Sequence, residues 1–311
     1  MSSQFSRRGF VIGLGSLAAG SVVPERLAGA LDLPRGPAPS RMRFGYAAIT
    51  WGGNDVQAIK DVSEVGFRGI QIRSNVLKDF GDKPKALAEL LKQHKLKFVA
   101  LSGGGPRDDA YVAAEEIATQ VKHATFVRDA GGLYLQMTDS ARPKDRKPES
   151  KDFKALGRLL TEIGKRTAGL GIPMAYHNHM RSLGEASDEV DALMDAADPR
   201  YVKLLLDVAH YAQGGGDPAE AIRKHRDRVL FLHIKDVETI APTAQSASPY
   251  RFVELGRGRL DLPAVFSALK KIKFRGWAVV ELDSVPDKTR TPKESAIISR
   301  KYIEDKLGMK V

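Results

Sequence analysis

The sequence contains no cysteine. This absence excludes disulfide bonds, zinc sites built on thiolates and a cysteine nucleophile. Any metal ion that the protein binds must therefore be held by histidine, aspartate or glutamate side chains. Aromatic residues make up only 7% of the chain, and no dense block of lysine and arginine alternates with them, although the formal net charge is +11. Dispersed positive charge is typical of a solvated surface, so we expect no nucleic-acid partner.

Long apolar runs are also missing, apart from one near the amino terminus. Residues 10–23 are uncharged and mostly apolar, but they are too few and too rich in glycine to span a bilayer, which takes about 20 apolar residues. The run follows the pair Arg7 and Arg8 and precedes a small-x-small sequence, Ala-Gly-Ala. This order is typical of a twin-arginine export signal. We therefore expect residues 1–30 to be a signal, residues 31–42 to be a linker, and the mature protein to be periplasmic or otherwise exported, without a stable membrane anchor.

Short apolar runs recur along the rest of the chain, and each is followed by a segment with helical signals. Such runs are typical of strands in a buried parallel sheet. Two helix starts are marked by Asp217-Pro218 and Thr291-Pro292, each with a glutamate three residues after the cap. The eight predicted strands are residues 43–49, 69–73, 97–101, 133–138, 173–179, 202–208, 229–237 and 277–282.

This alternation of strand and helix favours a single-domain (β/α)8 TIM barrel over residues 43–311. An open dinucleotide-binding sheet is the alternative, but it lacks its glycine fingerprint, because residues 103–105 and 214–216 are plain glycine triplets. In a TIM barrel the active site lies where the strands end and the following loops begin. Polar residues at those ends are therefore the candidates for function.

The last four predicted strands end in side chains that bind metals, which are His177 and His179, then Asp207, His233 and Glu281. Burying Asp207 after three leucines and Glu281 after two valines is costly unless the carboxylates are paired or bound to a metal. A mixed set of nitrogen and oxygen ligands favours Mn, Co, Zn or Fe. We therefore expect a divalent metal site at the ends of these strands.

The strings Asp207-x-x-His210 and His233-x-Lys235, with Glu281 on the last strand, resemble the xylose isomerase-like superfamily of TIM barrels, which includes sugar phosphate isomerases and epimerases. The resemblance implies a metal-dependent isomerase or epimerase of a sugar or keto-sugar, in which Asp207, His233 and Glu281 bind the metal. Such an enzyme would remove a proton next to a carbonyl group and pass through a metal-bound enediolate. His177 is the best candidate for the fourth ligand.

The sequence departs from this superfamily on the fifth strand, where His177 occupies the position of a glutamate. The superfamily's epimerases use glutamates of the fifth and eighth strands as a pair of acid/base groups, so a histidine changes one half of that pair. Residues 49–55, the His-x-His-Met string and Glu185 are most similar to inosose dehydratases. This resemblance implies an alternative in which a β-hydroxyl or alkoxide leaves, as in a dehydratase or a lyase that acts on 3-keto-glycosides.

Several roles around the expected metal remain open at the level of sequence. Either His177 or His179 binds the metal while the other acts as the base, and Glu185 is an alternative ligand or acid/base group. Lys235 and Glu281 complete the set of expected catalytic residues. The candidate substrate contacts are His210, Arg73 and Trp51.

Two other function classes use related architecture. A nuclease similar to endonuclease IV needs histidine ligands on the second and third strands, which here end in Gln71-Ile72-Arg73 and Ser102-Gly103. An exported sugar-binding protein without catalysis has no reason to bring Asp, His and Glu together around one point. The expected partner is therefore a small polyhydroxylated carbonyl substrate, and self-association into a homo-oligomer stays open.

Overall fold

The computed structural model describes residues 42–105, 113–241 and 248–311. Its strands are β1 (Arg43–Ala47), β2 (Gly69–Arg73), β3 (Lys97–Ser102), β4 (Tyr134–Met137), β5 (Met174–His177), β6 (Val202–Asp207), β7 (Val229–Ile234), β8 (Asp236–Thr239), β9 (Tyr250–Val253) and β10 (Trp277–Val280). Strands β1 to β7 and β10 are parallel and close into a barrel in which β10 lies between β7 and β1. Strands β8 and β9 pair as an antiparallel hairpin outside the barrel.

Helices connect the strands and surround the barrel. The α-helices are α1 (Asp55–Val65), α2 (Leu77–Phe80), α3 (Pro84–Gln93), α4 (Ala113–Asp129), α5 (Ser150–Gly169), α6 (Ser187–Ala196), α7 (Val208–Gln213), α8 (Pro218–Lys224), α9 (Leu262–Lys271) and α10 (Pro292–Asp305). Short 3₁₀ helices, Ala48–Trp51 and Ser74–Val76, follow β1 and β2.

The predicted single-domain TIM barrel is confirmed. Each predicted strand corresponds to one strand of the barrel, and the ends differ by at most a few residues. The seventh is the exception, because residues 229–237 span the end of β7 at Ile234 and the beginning of the hairpin at Asp236. A run of buried residues does not show where a chain leaves a barrel, since Val237 is as fully buried in the hairpin as Ile234 is in β7.

The interior of the barrel is filled by residues that alternate along each strand. A distinct interior cluster is formed by Ala47, Val99, Ala100, Ala175, Leu205, Phe231, Trp277 and Val279. The large Trp277 side chain begins β10, and it fits because position 69 is a glycine: a Cβ atom there would lie 2.4 Å from the Trp277 ring. The interior is therefore closed below the carboxyl ends of the strands, where the polar residues lie.

The outer layer is attached by apolar helix faces. On α5 an apolar stripe packs against the barrel, and its residues Leu156, Leu160 and Ile163 are fully buried. Each such side chain contributes about 1.5–3 kcal/mol of hydrophobic stabilisation. The two predicted helix starts are also present, because the side chains of Asp217 and Thr291 accept hydrogen bonds from the first turns of α8 and α10.

The predicted export signal and nearly all of the predicted linker lie outside the described residues. Their roles therefore stay predictions. The described residues belong to one compact unit. No helix in that part of the chain combines the length and apolar character required to cross a membrane.

Candidate metal centre and active site

The polar residues at the strand ends follow the same inward and outward alternation as the apolar residues of the barrel interior. On each of four strands a polar residue follows an interior apolar residue by two positions, so both side chains point into the barrel. The pairs are Ala175 and His177, Leu205 and Asp207, Phe231 and His233, and Val279 and Glu281. The apolar member packs in the core, and the polar member is placed directly above it, at the mouth of the barrel.

The four polar side chains converge, and each offers one ligand atom within 4.8 Å of the others. Asp207 Oδ2 lies 3.6 Å from both His177 Nε2 and His233 Nδ1, and Glu281 Oε2 lies 3.4 Å from His233 Nδ1. All four residues are buried. The structure thus brings together the four residues that were expected to form the metal site.

Asp207 is oriented by the backbone at the junction of β6 and α7. Its Oδ1 accepts hydrogen bonds from the backbone N–H groups of Ala209 and His210, both at 2.9 Å, and so caps α7. The side-chain amide of Asn178 bonds both the N–H and the carbonyl of Asp207. These contacts turn Oδ2 into the cluster, where it is buried and has no hydrogen-bond partner among the described residues.

The two histidines of the cluster differ in charge. Burial and the neighbouring charge of His233 hold the pKa of His177 well below its usual range, so His177 is neutral. Burial alone would lower the pKa of His233, but the carboxylates of Glu281 and Asp207 outweigh it and raise this pKa to about 9. His233 Nδ1 therefore donates a hydrogen bond to His177 Nε2, at 2.9 Å. A metal ion that binds Nδ1 must displace that proton.

Lys235 follows β7 directly and is completely buried. Its Nζ donates to Glu281 Oε1 at 2.8 Å and to Asp283 Oδ1 at 2.7 Å, and it lies 3.4 Å from Asp207 Oδ2. The centre of the Phe252 ring, on β9, lies 4.3 Å from Lys235 Nζ. Burial alone would lower the pKa of Lys235, but the three carboxylates raise it well above its usual range. Lys235 therefore carries a buried positive charge that three carboxylates surround.

The same positive charges keep the two metal-facing carboxylates ionised. Burial alone would raise the pKa of Asp207 and of Glu281. The positive charges of Lys235 and His233 outweigh that effect and hold both carboxyl pKa values well below their usual range. Ionised carboxylates and histidines with an available lone pair are the forms that bind divalent metals.

The donor set fits a divalent metal ion. Ligands that lie about 2.1 Å from a tetrahedral metal ion are about 3.4 Å from one another. His233 Nδ1 lies at similar distances from Asp207 Oδ2, 3.6 Å, and from Glu281 Oε2, 3.4 Å. The buried Asp207 Oδ2 without a hydrogen bond is an atom that such a cation would satisfy. Two imidazoles and two carboxylates suit Zn, Mn, Co or Fe.

A cavity of about 400 Å³ opens beside the cluster. His177, Glu281 and His179 lie on its wall. His179 follows the end of β5, and its Nδ1–H donates to the Met180 carbonyl at 2.7 Å. In this tautomer Nε2 carries the lone pair that accepts a proton. Both histidines therefore lie on the cavity wall, but only His177 also belongs to the four-residue cluster.

The remaining candidate residues lie outside the four-residue cluster. His210 is buried, and the centre of its ring lies 3.8 Å from that of His179. Its Nδ1 accepts a hydrogen bond from Met180 N at 3.2 Å. Arg73 lies on the cavity wall. Glu185 is outside the four-residue cluster, and its Oε2 accepts a hydrogen bond from Arg181 N at 2.7 Å.

Trp51 is directed away from the centre. Its indole N–H donates to Asp61 Oδ2 on α1 at 2.8 Å, and its ring packs edge-on against Tyr46. The described residues that line the cavity do not include Trp51. The structure thus gives this side chain a packing contact and shows no contact with the cavity.

Sequence reasoning missed Gln71 and Asn178, which contact the cluster, and Phe252, whose ring lies against Lys235 and His210. Gln71 Oε1 lies 2.8 Å from His233 Nε2. The alternation along β2 could have placed Gln71 inside the barrel, and the His-Asn-His string could have drawn attention to Asn178. Phe252 could not be predicted from the sequence, because it lies on a hairpin that the sequence pattern did not indicate.

Comparison with known proteins agrees with this architecture. A family model described as xylose isomerase-like TIM barrel matches residues 59–304. The rhizopine catabolism protein MocC of Rhizobium meliloti is 29% identical over 278 residues, which are 79% of this chain and 83% of that protein. An inosose dehydratase of Bacillus velezensis is 28% identical over 295 residues, which are 85% of this chain and 96% of that protein.

A solved structure of the IOLI protein with a zinc atom has the same fold. It aligns with a TM-score of 0.70 at 21% identity and covers 85% of this chain and 97% of that chain. The resemblance predicted from the strand-end residues is confirmed, because the family model spans most of the barrel. The chain belongs to the xylose isomerase-like TIM barrel family, and it is an enzyme.

Proposed function

We propose that this enzyme requires a divalent metal and acts on a small polyhydroxylated carbonyl compound by removing the proton next to the carbonyl group. The observation that carries the proposal is the convergence of His177, Asp207, His233 and Glu281 on one point beside a cavity of about 400 Å³. Cavities of this size suit small-molecule substrates. A cluster of buried ionised groups is costly in a protein that only binds sugars, so catalysis accounts for it better.

The lining of the cavity supports a substrate rich in hydroxyl groups. Uncharged hydrogen-bonding side chains from neighbouring strands lie on its wall, among them Ser102, Gln136 and Thr138. Such groups donate to and accept from hydroxyls without requiring a charged partner. Arg73 is the cation at the rim. The cavity therefore matches a cyclitol or sugar better than an extended nucleic acid.

A divalent cation held by the four residues would act as a Lewis acid that polarises the substrate carbonyl. His179 supplies the base, since its Nδ1–H is committed to the Met180 carbonyl and its Nε2 accepts the proton. Lys235 stays protonated, and its positive charge balances the carboxylates of Glu281 and Asp283, which lie on the cavity wall. Its hydrogen bond to Glu281 also fixes the orientation of that carboxylate.

Two outcomes share this first step. An isomerase or epimerase returns the proton, whereas a dehydratase or lyase expels a β-hydroxyl or alkoxide. The inosose dehydratases among the relatives support elimination, and so does the asymmetry of the site, in which His177 and not a glutamate ends β5. Elimination is therefore the outcome that we propose, with isomerisation of a keto-sugar as the second candidate.

The reaction is tested with metal-loaded protein in D₂O, with keto-inositols and 3-keto-glycosides as substrates. Elimination is expected to give a product lighter by one water, or a released aglycone, together with the absorption of an enone or dione. Isomerisation gives no loss of mass and leaves one deuterium in the product. Metal-stripped protein is the control. If the loaded protein produces neither elimination nor deuterium exchange with these compounds, the proposed chemistry is wrong.

We also propose that the enzyme is exported by the twin-arginine route. Replacing Arg7 and Arg8 together with lysine is expected to leave the uncleaved precursor in the cytoplasm, since the signal depends on the arginine pair. Cell fractionation with intact-mass measurement distinguishes precursor from mature protein. Arg26→Lys, in the same segment but outside the pair, is the matched control and leaves export unchanged. Normal periplasmic amounts of mature protein in the double variant would contradict the proposal.

A further inference from the structure

A row of polar side chains crosses the barrel interior from β2 to the metal centre. Gln71 Oε1 is 2.8 Å from His233 Nε2, although the two residues are 162 positions apart in the chain. Gln71 Nε2 donates to Gln136 Oε1 on β4 at 2.6 Å and to Ser102 Oγ on β3 at 2.8 Å. Gln71 is buried, and each polar atom of its amide therefore has a protein partner.

The residues that pair with Gln71 have small side chains, which leave space for its side chain to extend to His233. In the register of the barrel, Gln71 pairs with Ala47 on β1 and with Ala100 on β3. Both alanines belong to the interior cluster, where larger side chains would fill the path to β7. The glutamine side chain thus extends across the interior and contacts His233 directly.

These hydrogen bonds select one orientation of His233. The two hydrogens of the Gln71 amide nitrogen are used by Gln136 and Ser102, so the amide oxygen faces His233 and accepts its Nε2–H. The lone pair of the neutral ring is then on Nδ1, which is the nitrogen that faces Asp207 and Glu281. If the amide were reversed, its nitrogen would face Nε2, the proton would be favoured on Nδ1, and the metal-facing lone pair would be lost.

We propose that Gln71 is a positioning residue that holds His233 in the tautomer and ring orientation required to bind the metal. The inference rests on the metal site of the proposed function and deepens it. Gln71 acts through His233 and does not itself ligate the metal. Partners of this kind typically change metal affinity by about 10- to 100-fold when they are removed.

The test is Zn²⁺ binding in the absence of substrate, measured by competition with a chelator. Gln71→Leu removes the acceptor and is expected to weaken Zn²⁺ binding by about 10- to 100-fold. Gln71→Glu keeps an acceptor oxygen for Nε2–H and is expected to restore affinity. Gln120→Leu is the matched control, because Gln120 is an equally buried glutamine on α4 that bonds Gly103 and Glu116, and it should bind Zn²⁺ as the wild type does.

A second measurement needs no variant. In the Zn²⁺-loaded wild type with ¹⁵N-labelled histidine, long-range ¹H–¹⁵N spectra should show His233 protonated on Nε2 and not on Nδ1. Protonation on Nδ1, or wild-type Zn²⁺ affinity in Gln71→Leu, would overturn the positioning role. If the wild type itself binds no Zn²⁺, Mn²⁺ or Co²⁺, the proposed function fails instead, so the two failures are distinguishable.

Discussion

Replacing Asp207 with asparagine is expected to lower the affinity for Zn²⁺, Mn²⁺ or Co²⁺ by more than about 100-fold, beyond the usual effect of removing a partner that does not itself bind the metal. Turnover is lost with the metal. Asparagine retains an Oδ1 that accepts from Ala209 and His210, so the cap of α7 is kept and the barrel stays folded. The measurement is metal content and affinity, with circular dichroism and thermal unfolding as the check on folding.

The control for this variant is a helix cap elsewhere. Asp217→Ala removes the N-cap of α8, with a typical cost of about 1 kcal/mol in stability, and it should leave metal content unchanged. Glu281→Ala should behave like Asp207→Asn, because its carboxylate is also part of the cluster. Stoichiometric metal in both Asp207→Asn and Glu281→Ala would show that the site lies elsewhere.

His177 and His179, two residues apart at the end of β5, are expected to respond differently to substitution. His177→Ala removes a cluster atom and should lose both metal and turnover. His179→Ala should keep the metal but lower turnover by about 10²- to 10⁴-fold, the usual contribution of a general base. Metal analysis and single-turnover kinetics separate the two effects, and added imidazole should partly restore His179→Ala.

The matched control is His94→Ala, which changes a histidine at the end of α3 and should alter neither metal content nor turnover. If His179→Ala strips the metal while His177→Ala spares it, the two roles are exchanged. If both variants stay active, the base lies elsewhere. Glu185 then becomes the leading candidate, although its contact with Arg181 N would have to open first.

The sequence predicted the fold because its signals are local. Short apolar runs, helix caps and the absence of a dinucleotide fingerprint depend on neighbouring residues, and eight repeats of one pattern leave few topologies. The ends of the strands depend on more than the apolar runs. The pattern predicts one strand over residues 229–237, whereas the chain leaves the barrel after Ile234 and forms a hairpin that places Phe252 over Lys235.

The sequence also determined which residue types stand at the strand ends, since the strands of a parallel barrel all end at one mouth. His177, Asp207, His233 and Glu281 were predictable as a group for that reason. Alternation with a period of two could not distinguish His177 from His179, because both positions have the same parity. In the structure β5 ends at His177, and His179 lies beyond the strand, beside the cavity.

Only the tertiary structure decided how these side chains are paired and charged. The raised pKa of His233 and the buried ammonium of Lys235 depend on carboxylates from other strands, whose distances follow from barrel closure and register. The contact between Gln71 and His233 also spans the barrel interior and leaves no local pattern. The sequence by itself therefore determined the fold and the ligand types, while the protonation states and the supporting contacts arose from side chains that meet only when the barrel closes.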